Sequence, residues 1–316
     1  NTNLSSCGVI DTSNKYYNLT QDVVGDSDCF TIRAENITID CKGYTIFYIN
    51  VSELGYGINN SAGYDNVTIK NCIISSGDNA TVENTELSRD IYSSGSEYFS
   101  IINSTMEGPG TPNGRTMDLI DVNFVTLENN TINANQGGFD SVDLRGDNFS
   151  VSGNTIVSQT DSHIPLQIVG EDGLIERNNL TVLDYVGQAS NAISLTGNRT
   201  IIRYNNLTSS AGSINPGYVN SIKGSDNVIE FNDIRSGVSG NGGVTITGPA
   251  SNNTIRDNNF IGVAGFNIFL DGGVNADLID QSISNYSFNS AGSNLSVKET
   301  GLAEIKFLDE INATGN

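Results

Sequence analysis

A six-residue phrase occurs six times between residues 127 and 260. Its copies begin Leu127-Glu128-Asn129-Asn130-Thr131-Ile132, Val151-Ser152-Gly153-Asn154-Thr155-Ile156 and Ile175-Glu176-Arg177-Asn178-Asn179-Leu180. They continue as Ile202-Arg203-Tyr204-Asn205-Asn206-Leu207, Ile229-Glu230-Phe231-Asn232-Asp233-Ile234 and Ile255-Arg256-Asp257-Asn258-Asn259-Phe260. Each has an aliphatic residue, two variable residues, an Asn, one variable residue and a second apolar residue. The Asn falls at 130, 154, 178, 205, 232 and 258, in steps of 24, 24, 27, 27 and 26. A self-similar period of this size marks a solenoid, in which each repeat buries its apolar face only against its neighbours.

Weaker copies extend the pattern both ways. Ile37-Thr38-Ile39-Asp40-Cys41, Val67-Thr68-Ile69-Lys70-Asn71-Cys72 and Phe99-Ser100-Ile101-Ile102-Asn103-Ser104 precede the phrase, and Ile279-Asp280-Gln281-Ser282-Ile283 follows it. The count is about ten coils, the first near residue 36, with loops expected between 76 and 97 and around 108–112. A second short strand is expected in each coil, as at 142–145, 192–195, 244–247 and 268–270, where apolar and polar residues alternate. The chain has 34 Gly, 5 Pro and no Trp, and no stretch keeps a 3.6-residue period. The expected fold is all-β: a single-stranded parallel β-helix. Strands of successive coils would pair about 4.8 Å apart. A buried corner would leave backbone groups unpaired, and an Asn side chain, both donor and acceptor, can answer them. Asn130, Asn154, Asn178, Asn205, Asn232 and Asn258 are therefore expected to stack as an internal ladder.

The four cysteines, Cys7, Cys29, Cys41 and Cys72, lie in the first quarter without a CxxC or a His partner, which argues against zinc. Two disulfides are expected. Of the three pairings, Cys7–Cys29 with Cys41–Cys72 is preferred, since the latter joins near-equivalent places on successive turns. Disulfides imply an oxidising, extracytoplasmic compartment. Seventeen sequons agree with that, at Asn3, Asn18, Asn36, Asn50, Asn59, Asn66, Asn79, Asn103, Asn129, Asn148, Asn179, Asn198, Asn206, Asn252, Asn285, Asn294 and Asn312. Covalent N-glycans are expected on some, although Asn-rich turns beside Thr-rich strands also generate sequons by themselves. None of the six ladder residues is a sequon Asn, so inward Asn would be structural and outward Asn open to sugar. The net charge of −21 speaks against nucleic acid, and no apolar run is long enough to span a bilayer. The start at Asn1 rather than Met suggests a chain whose targeting segment is gone. Expected organisation is a disulfide-stapled lead-in over 1–35, the β-helix over 36–287 and a C-terminal strand segment over 288–316. No closing cap is evident in that segment, so it would join further chain or meet another subunit.

The repeat phrase resembles the right-handed parallel β-helix superfamily that includes pectate lyases and the NosD-like repeats of carbohydrate-binding and sugar-hydrolysing proteins. The opening Cys7-Gly8-Val9-Ile10, Tyr17-Asn18-Leu19-Thr20, Cys29-Phe30-Thr31-Ile32 and Ile39-Asp40-Cys41-Lys42-Gly43-Tyr44 resembles the lead-in of archaeal cell-surface proteins of that kind. The resemblance implies the right-handed fold over nearly the whole chain. It leaves function open between lyases, hydrolases, adhesins and structural proteins.

Candidate chemistry sits on outward positions of the second strand. Asp118 and Asp121 belong to one coil, Asp140, Asp143 and Arg145 to the next, and His163 with Glu171 to the one after. Stacked, they form an acidic strip beside a cation. The resemblance implies Ca²⁺ held by carboxylates with a basic residue abstracting a proton, a site of hard oxygen ligands, while paired carboxylates suit glycoside hydrolysis. A structural account competes: Asp121 and Arg145 share a column and would pair across coils, Lys223 lies in the same column three coils on, and His163 reads as a turn residue. Contiguous catalytic motifs such as HExxH, the P-loop and GxSxG are absent. Tyr16, Tyr17, Tyr44, Tyr48, Tyr56, Tyr64, Tyr92 and Tyr98 crowd the first third, as a sugar-stacking surface or as core and cap filling. From these features the chain is expected to be a non-enzymatic, glycosylated extracellular structural protein of a surface layer, sheath, filament or adhesin, associating with itself or other surface proteins through its solenoid ends. No cofactor is expected, Ca²⁺ apart. The competing expectation is a secreted polysaccharide-binding protein, lyase or hydrolase using the strip at Asp118, Asp121, Asp140, Asp143 and Arg145.

Overall fold

The computed structural model describes residues 1–48, 55–77, 88–108, 115–134, 141–159, 164–183, 191–209, 218–236, 242–261, 268–271, 274–279, 286–288 and 294–298. They form a right-handed parallel β-helix with three sheets. The first sheet stacks 13 strands, from Thr2–Leu4 to Asn294–Lys298; the second stacks 10, from Val23–Val24 to Asn259–Ile261; the third stacks 12, from Gly8–Ile10 to Tyr286–Phe288. One coil illustrates the path. Thr126–Glu128 lies in the first sheet, Thr131–Ala134 in the second and Val142–Arg145 in the third, and the chain re-enters the first at Ser150–Ser152.

Register places like on like. Leu127, Val151, Ile175, Ile202, Ile229 and Ile255 are successive partners in the first sheet. Ile132, Ile156, Leu180, Leu207 and Ile234 do the same in the second, and Leu119, Leu144, Ile168, Leu195, Ile222 and Ile246 in the third. All are buried in one continuous core. Each such side chain contributes about 1.5–3 kcal/mol on burial.

The corner from the first sheet to the second takes two residues. Its first residue has positive φ in coil after coil, at Asn71, Asn103, Asn129, Gly153, Arg177, Tyr204, Phe231 and Asp257. Its second is the Asn of the repeat phrase. The Oδ1 of Asn154, Asn178, Asn205, Asn232 and Asn258 accepts from the backbone N–H of the equivalent Asn one coil earlier, at 2.9–3.0 Å. Their Nδ2 groups donate to carbonyls across the corner, as from Asn178 to Val151 O at 2.8 Å. The column continues through Ser104, whose N–H donates to Asn130 Oδ1 at 2.9 Å, and Cys72, whose N–H donates to Ser104 Oγ at 3.1 Å.

The corner from the third sheet to the first is held by close backbone approach. A Cβ at Gly146, Gly170, Gly197 or Gly224 would lie only 1.7–2.0 Å from the carbonyl oxygen of the coil before, so only glycine fits. A second buried Asn pair reinforces the later coils. Thr200 N–H donates to Asn227 Oδ1 and Asn227 N–H to Asn253 Oδ1, both at 3.0 Å.

Several expectations are corrected. Each coil carries three strands rather than two, because the apolar residue after the Asn opens a sheet of its own. The coil count differs slightly from ten, the sheets having 13, 10 and 12 strands. Strands begin well before residue 36: Thr2–Leu4, Gly8–Ile10, Lys15–Leu19, Val23–Val24 and Phe30–Ile32 join the same three sheets. Part of the loop expected over 76–97 is the strand Arg89–Ser94 of the third sheet. Disulfides link Cys7 to Cys29 and Cys41 to Cys72. The cap question at residues 299–316 lies outside the described residues.

Candidate functional site

A cluster of charged groups lies on the outer face of the third sheet. In Arg115–Ile120, Met117 and Leu119 enter the core, so Asp118 between them faces away from it. Asp118 is in register with Tyr92 one coil earlier and Asp143 one coil later, and Asp143 with Gln167. Four successive coils therefore present Tyr, Asp, Asp and Gln in one column. The arginines stand beside it, with Arg89 and Arg115 as direct partners.

Salt bridges tie the strip together. Arg89 Nε is 2.5 Å from Asp118 Oδ2, and Arg115 Nη1 is 2.8 Å from both Asp118 Oδ1 and Asp143 Oδ2. Arg145 grips Asp143 twice, through Nη2 at 2.8 Å and Nε at 3.1 Å. Asp118 and Asp143 are buried, whereas 43 % of the Arg145 side chain is exposed. Arg145 is thus the member that meets solvent, and its bond to Asp143 raises its pKa further above the ordinary guanidinium value. At the N-terminal end of the strip Tyr56 stacks on Tyr92 with centroids 5.3 Å apart. Both rings are partly exposed, and burial raises the Tyr56 pKa.

A buried acid adjoins the strip. Asp90 accepts from Tyr48 Oη at 2.7 Å and from Gly108 N–H at 2.9 Å. Burial pushes its pKa up to about 7 against those two hydrogen bonds. Another cluster lies on the first sheet, where Asp40 accepts from Tyr16 Oη, Asn71 Nδ2 and the Lys42 ammonium at 2.5, 2.9 and 2.8 Å. Burial alone would raise the Asp40 pKa, but the bonds from Lys42, Tyr16 and Asn71 together hold it well below the ordinary value.

The structure brings Asp118, Asp143 and Arg145 together, adding Arg89, Arg115 and Tyr92 to them. Asp121 is corrected: Arg145 is opposite Ile120 rather than Asp121 and pairs with Asp143, while Asp121 is exposed at a positive-φ turn. Glu171 bonds Arg199 and Asn198 at a corner away from the strip. Lys223 does share the column of Arg145, through Val169 and Thr196. Asp140 and His163 lie outside the described residues. Among the described residues no group of three or more His, Cys, Asp or Glu is arranged to hold a metal ion. Of the tyrosines, Tyr17 and Tyr48 are core residues, while Tyr44 and Tyr98 are exposed.

No protein-family model matches the chain, and no curated protein matches it in sequence. Solved structures match its fold. The Agl-KA catalytic domain superposes with a TM-score of 0.64 at 12% identity, over 93% of this chain and 62% of its own, so this chain spans under two thirds of that protein. DFA-IIIase from Arthrobacter chlorophenolicus A6, without its lid, gives 0.59 at 11% identity over 90% and 75% of the two chains. A mutant of the periplasmic alginate epimerase AlgG gives 0.55 at 11% identity over 90% and 74%. These likenesses establish the right-handed parallel β-helix. They also correct the expectation of a non-enzymatic surface-layer, sheath, filament or adhesin subunit, because these three structures are a catalytic domain, a DFA-IIIase and an alginate epimerase.

Proposed function

We propose that the chain is a secreted polysaccharide-acting protein whose sugar polymer lies along the outer face of the third sheet. The observation that carries this reading is the strip Tyr92, Asp118, Asp143, Gln167 with Arg89, Arg115 and Arg145 beside it. Burying two carboxylates with their arginines gains little or nothing in stability over an apolar packing of equal volume. Networks of that kind repay their desolvation when they hold a functional group in place. Here the group held is the Arg145 guanidinium, fixed on two nitrogens by Asp143 and reaching solvent. Such a fork donates to sugar hydroxyls or a carboxylate. Tyr92 with Tyr56 gives the same strip an aromatic surface against which a pyranose can pack. Carbohydrate-active enzymes on the same architecture support the reading. Two disulfides agree with an oxidising, extracytoplasmic setting, and no helix among the described residues is long and apolar enough to cross a membrane.

The test is incubation of the protein and its Arg145→Ala and Asp143→Asn variants with neutral and uronate polysaccharides. Reducing ends, new double bonds and changes in sugar configuration are followed together. The expected result is one of these changes with wild type and at least a hundredfold loss in both variants, with Arg145→Ala melting near wild type, since Asp143 keeps its bond to Arg115. Full activity in both variants would remove the strip from the reaction.

A further inference from the structure

The corner before the first sheet has positive φ in coil after coil. The residues there are Asn36, Asn66, Tyr98, Phe124, Asn148, Asp172, Arg199, Asp226 and Asn252. Asn and Asp tolerate left-handed backbone, whereas other side chains cost about 1–2 kcal/mol each there. Tyr98 and Phe124 recover little of that through burial, being 51 % and 38 % exposed. They stack on each other with centroids 4.6 Å apart and planes 9° from parallel. Such a pair gains about 0.5–1.5 kcal/mol, less than the two positions cost.

What flanks the pair explains it. Register puts Asn66 directly before Tyr98 and Asn148 directly after Phe124 in the same column. Each Asn is exposed, has the same left-handed backbone, and opens a sequon, Asn66-Val67-Thr68 and Asn148-Phe149-Ser150. The order along the corner is therefore Asn, Tyr, Phe, Asn. Each ring has one face on its partner ring and the other turned toward a sequon asparagine one coil away. The contrasting stack, Tyr204 on Phe231 at the corner after the first sheet, has no such flank: guanidinium groups of Arg177 and Arg203 lie 5.9 Å from the Tyr204 ring, and Asp257 follows Phe231 in its column.

We propose that Asn66 and Asn148 are N-glycosylated and that the first sugar of each glycan stacks on the adjacent ring, the Asn66 glycan on Tyr98 and the Asn148 glycan on Phe124. Coils repeat about every 4.8 Å, so a sugar carried on the neighbouring coil meets the ring at the separation the two rings already keep. The co-reactant is a lipid-pyrophosphate-linked oligosaccharide. The Nδ2–C1 bond forms, the C1–oxygen bond to the pyrophosphate breaks, one Nδ2 proton is lost and the lipid pyrophosphate leaves. Asn66 Nδ2 donates to Asn36 Oδ1 at 2.7 Å, and the hydrogen remaining after glycosylation keeps that bond. The inference is independent of what binds the third sheet.

The test uses protein purified from the cells that naturally make it. Glycopeptide mass spectrometry should find sugar at both asparagines, and NMR should show protons of those first sugars shifted upfield by the ring faces. Melting of four forms then measures the coupling: wild type, Thr68→Val/Ser150→Ala, which removes both sequons and keeps the left-handed asparagines, Tyr98→Ser/Phe124→Ser, and all four changes together. Losing the glycans should lower the melting temperature by about 2–4 °C when the rings are present, and leave it unchanged when they are absent. Either asparagine bare, unshifted sugar protons, or an equal loss with and without the rings overturns the proposal.

Discussion

Replacing Asn178 by alanine removes a side chain that serves three coils at once. Its Oδ1 accepts from Asn154 N–H at 2.9 Å and from Asn154 Nδ2 at 3.0 Å. Its Nδ2 donates to Val151 O at 2.8 Å and to Asn205 Oδ1 at 3.0 Å. The residue is 2 % exposed, so water does not replace these partners. The variant strands the Asn154 N–H outright and removes the side-chain bond to the Val151 carbonyl, which stays in the strand ladder, while Asn154 Nδ2 keeps its bond to Leu127 O and Asn205 Oδ1 keeps the Asn178 N–H. One buried N–H left unpaired at about 1–3 kcal/mol and the lost bond to Val151 O at about 0.5–1.5 kcal/mol set a loss of about 1.5–4.5 kcal/mol. Urea unfolding followed by far-ultraviolet circular dichroism measures it, with hydrogen exchange at Asn154 N–H as a local readout. Asn179→Ala, one residue on and exposed, should change stability by less than about 0.5 kcal/mol. If Asn178→Ala unfolds at the wild-type urea concentration, the corner asparagines do not hold the coils together.

Other perturbations give distinct readouts. The Asp90 pKa of about 7 against 3.8 in an unfolded chain predicts a pH dependence. Below pH 4 both states are protonated and the stability is complete. Between pH 4 and 7 the unfolded chain ionises while folded Asp90 does not, so about 4 kcal/mol is lost, and above pH 7 the loss levels off. Stability of Asp90→Asn against pH should lack this component, and identical profiles would refute it. Gly197→Ala forces a Cβ to within 1.7 Å of Gly170 O and should cost about 3 kcal/mol or more, whereas Gly8→Ala, with open space around it, should cost under about 0.5 kcal/mol; equal melting temperatures would contradict the close approach. Cys41→Ser/Cys72→Ser opens a link between residues 31 apart and should lower stability by about 3–4 kcal/mol, read by urea unfolding under oxidising conditions.

The architecture was legible because a solenoid writes its geometry into spacing. Gly146, Gly170, Gly197 and Gly224 recur at 24, 27 and 27 residues, the same steps as Asn154, Asn178, Asn205 and Asn232, so the glycine corner was readable and was missed. The second sheet hid inside the repeat phrase. Only a two-residue corner separates the strand of Leu127 from the strand carrying Ile132, too little to announce a turn. Within the site, Asp118 and Asp143 showed as members of one acidic strip, but Arg89 and Arg115 did not, since they flank irregular insertions where the period fails. Asp121 follows its strand rather than ending it, and that one-residue offset misassigned the partner of Arg145. Function was misread for a related reason. A face built one residue per coil from Tyr92, Asp118, Asp143 and Gln167 contains no contiguous motif, so the absence of motifs carried no weight against an enzyme.

The most direct measurement is a crystal structure of the protein with oligosaccharides cut from the neutral and uronate polysaccharides on which the proposed activity is tested. The sugar should lie along the third sheet, within hydrogen-bond distance of Arg145 and with a ring against Tyr92 or Tyr56. An oligosaccharide bound on the first or second sheet, with the Arg145 strip untouched, would contradict the account.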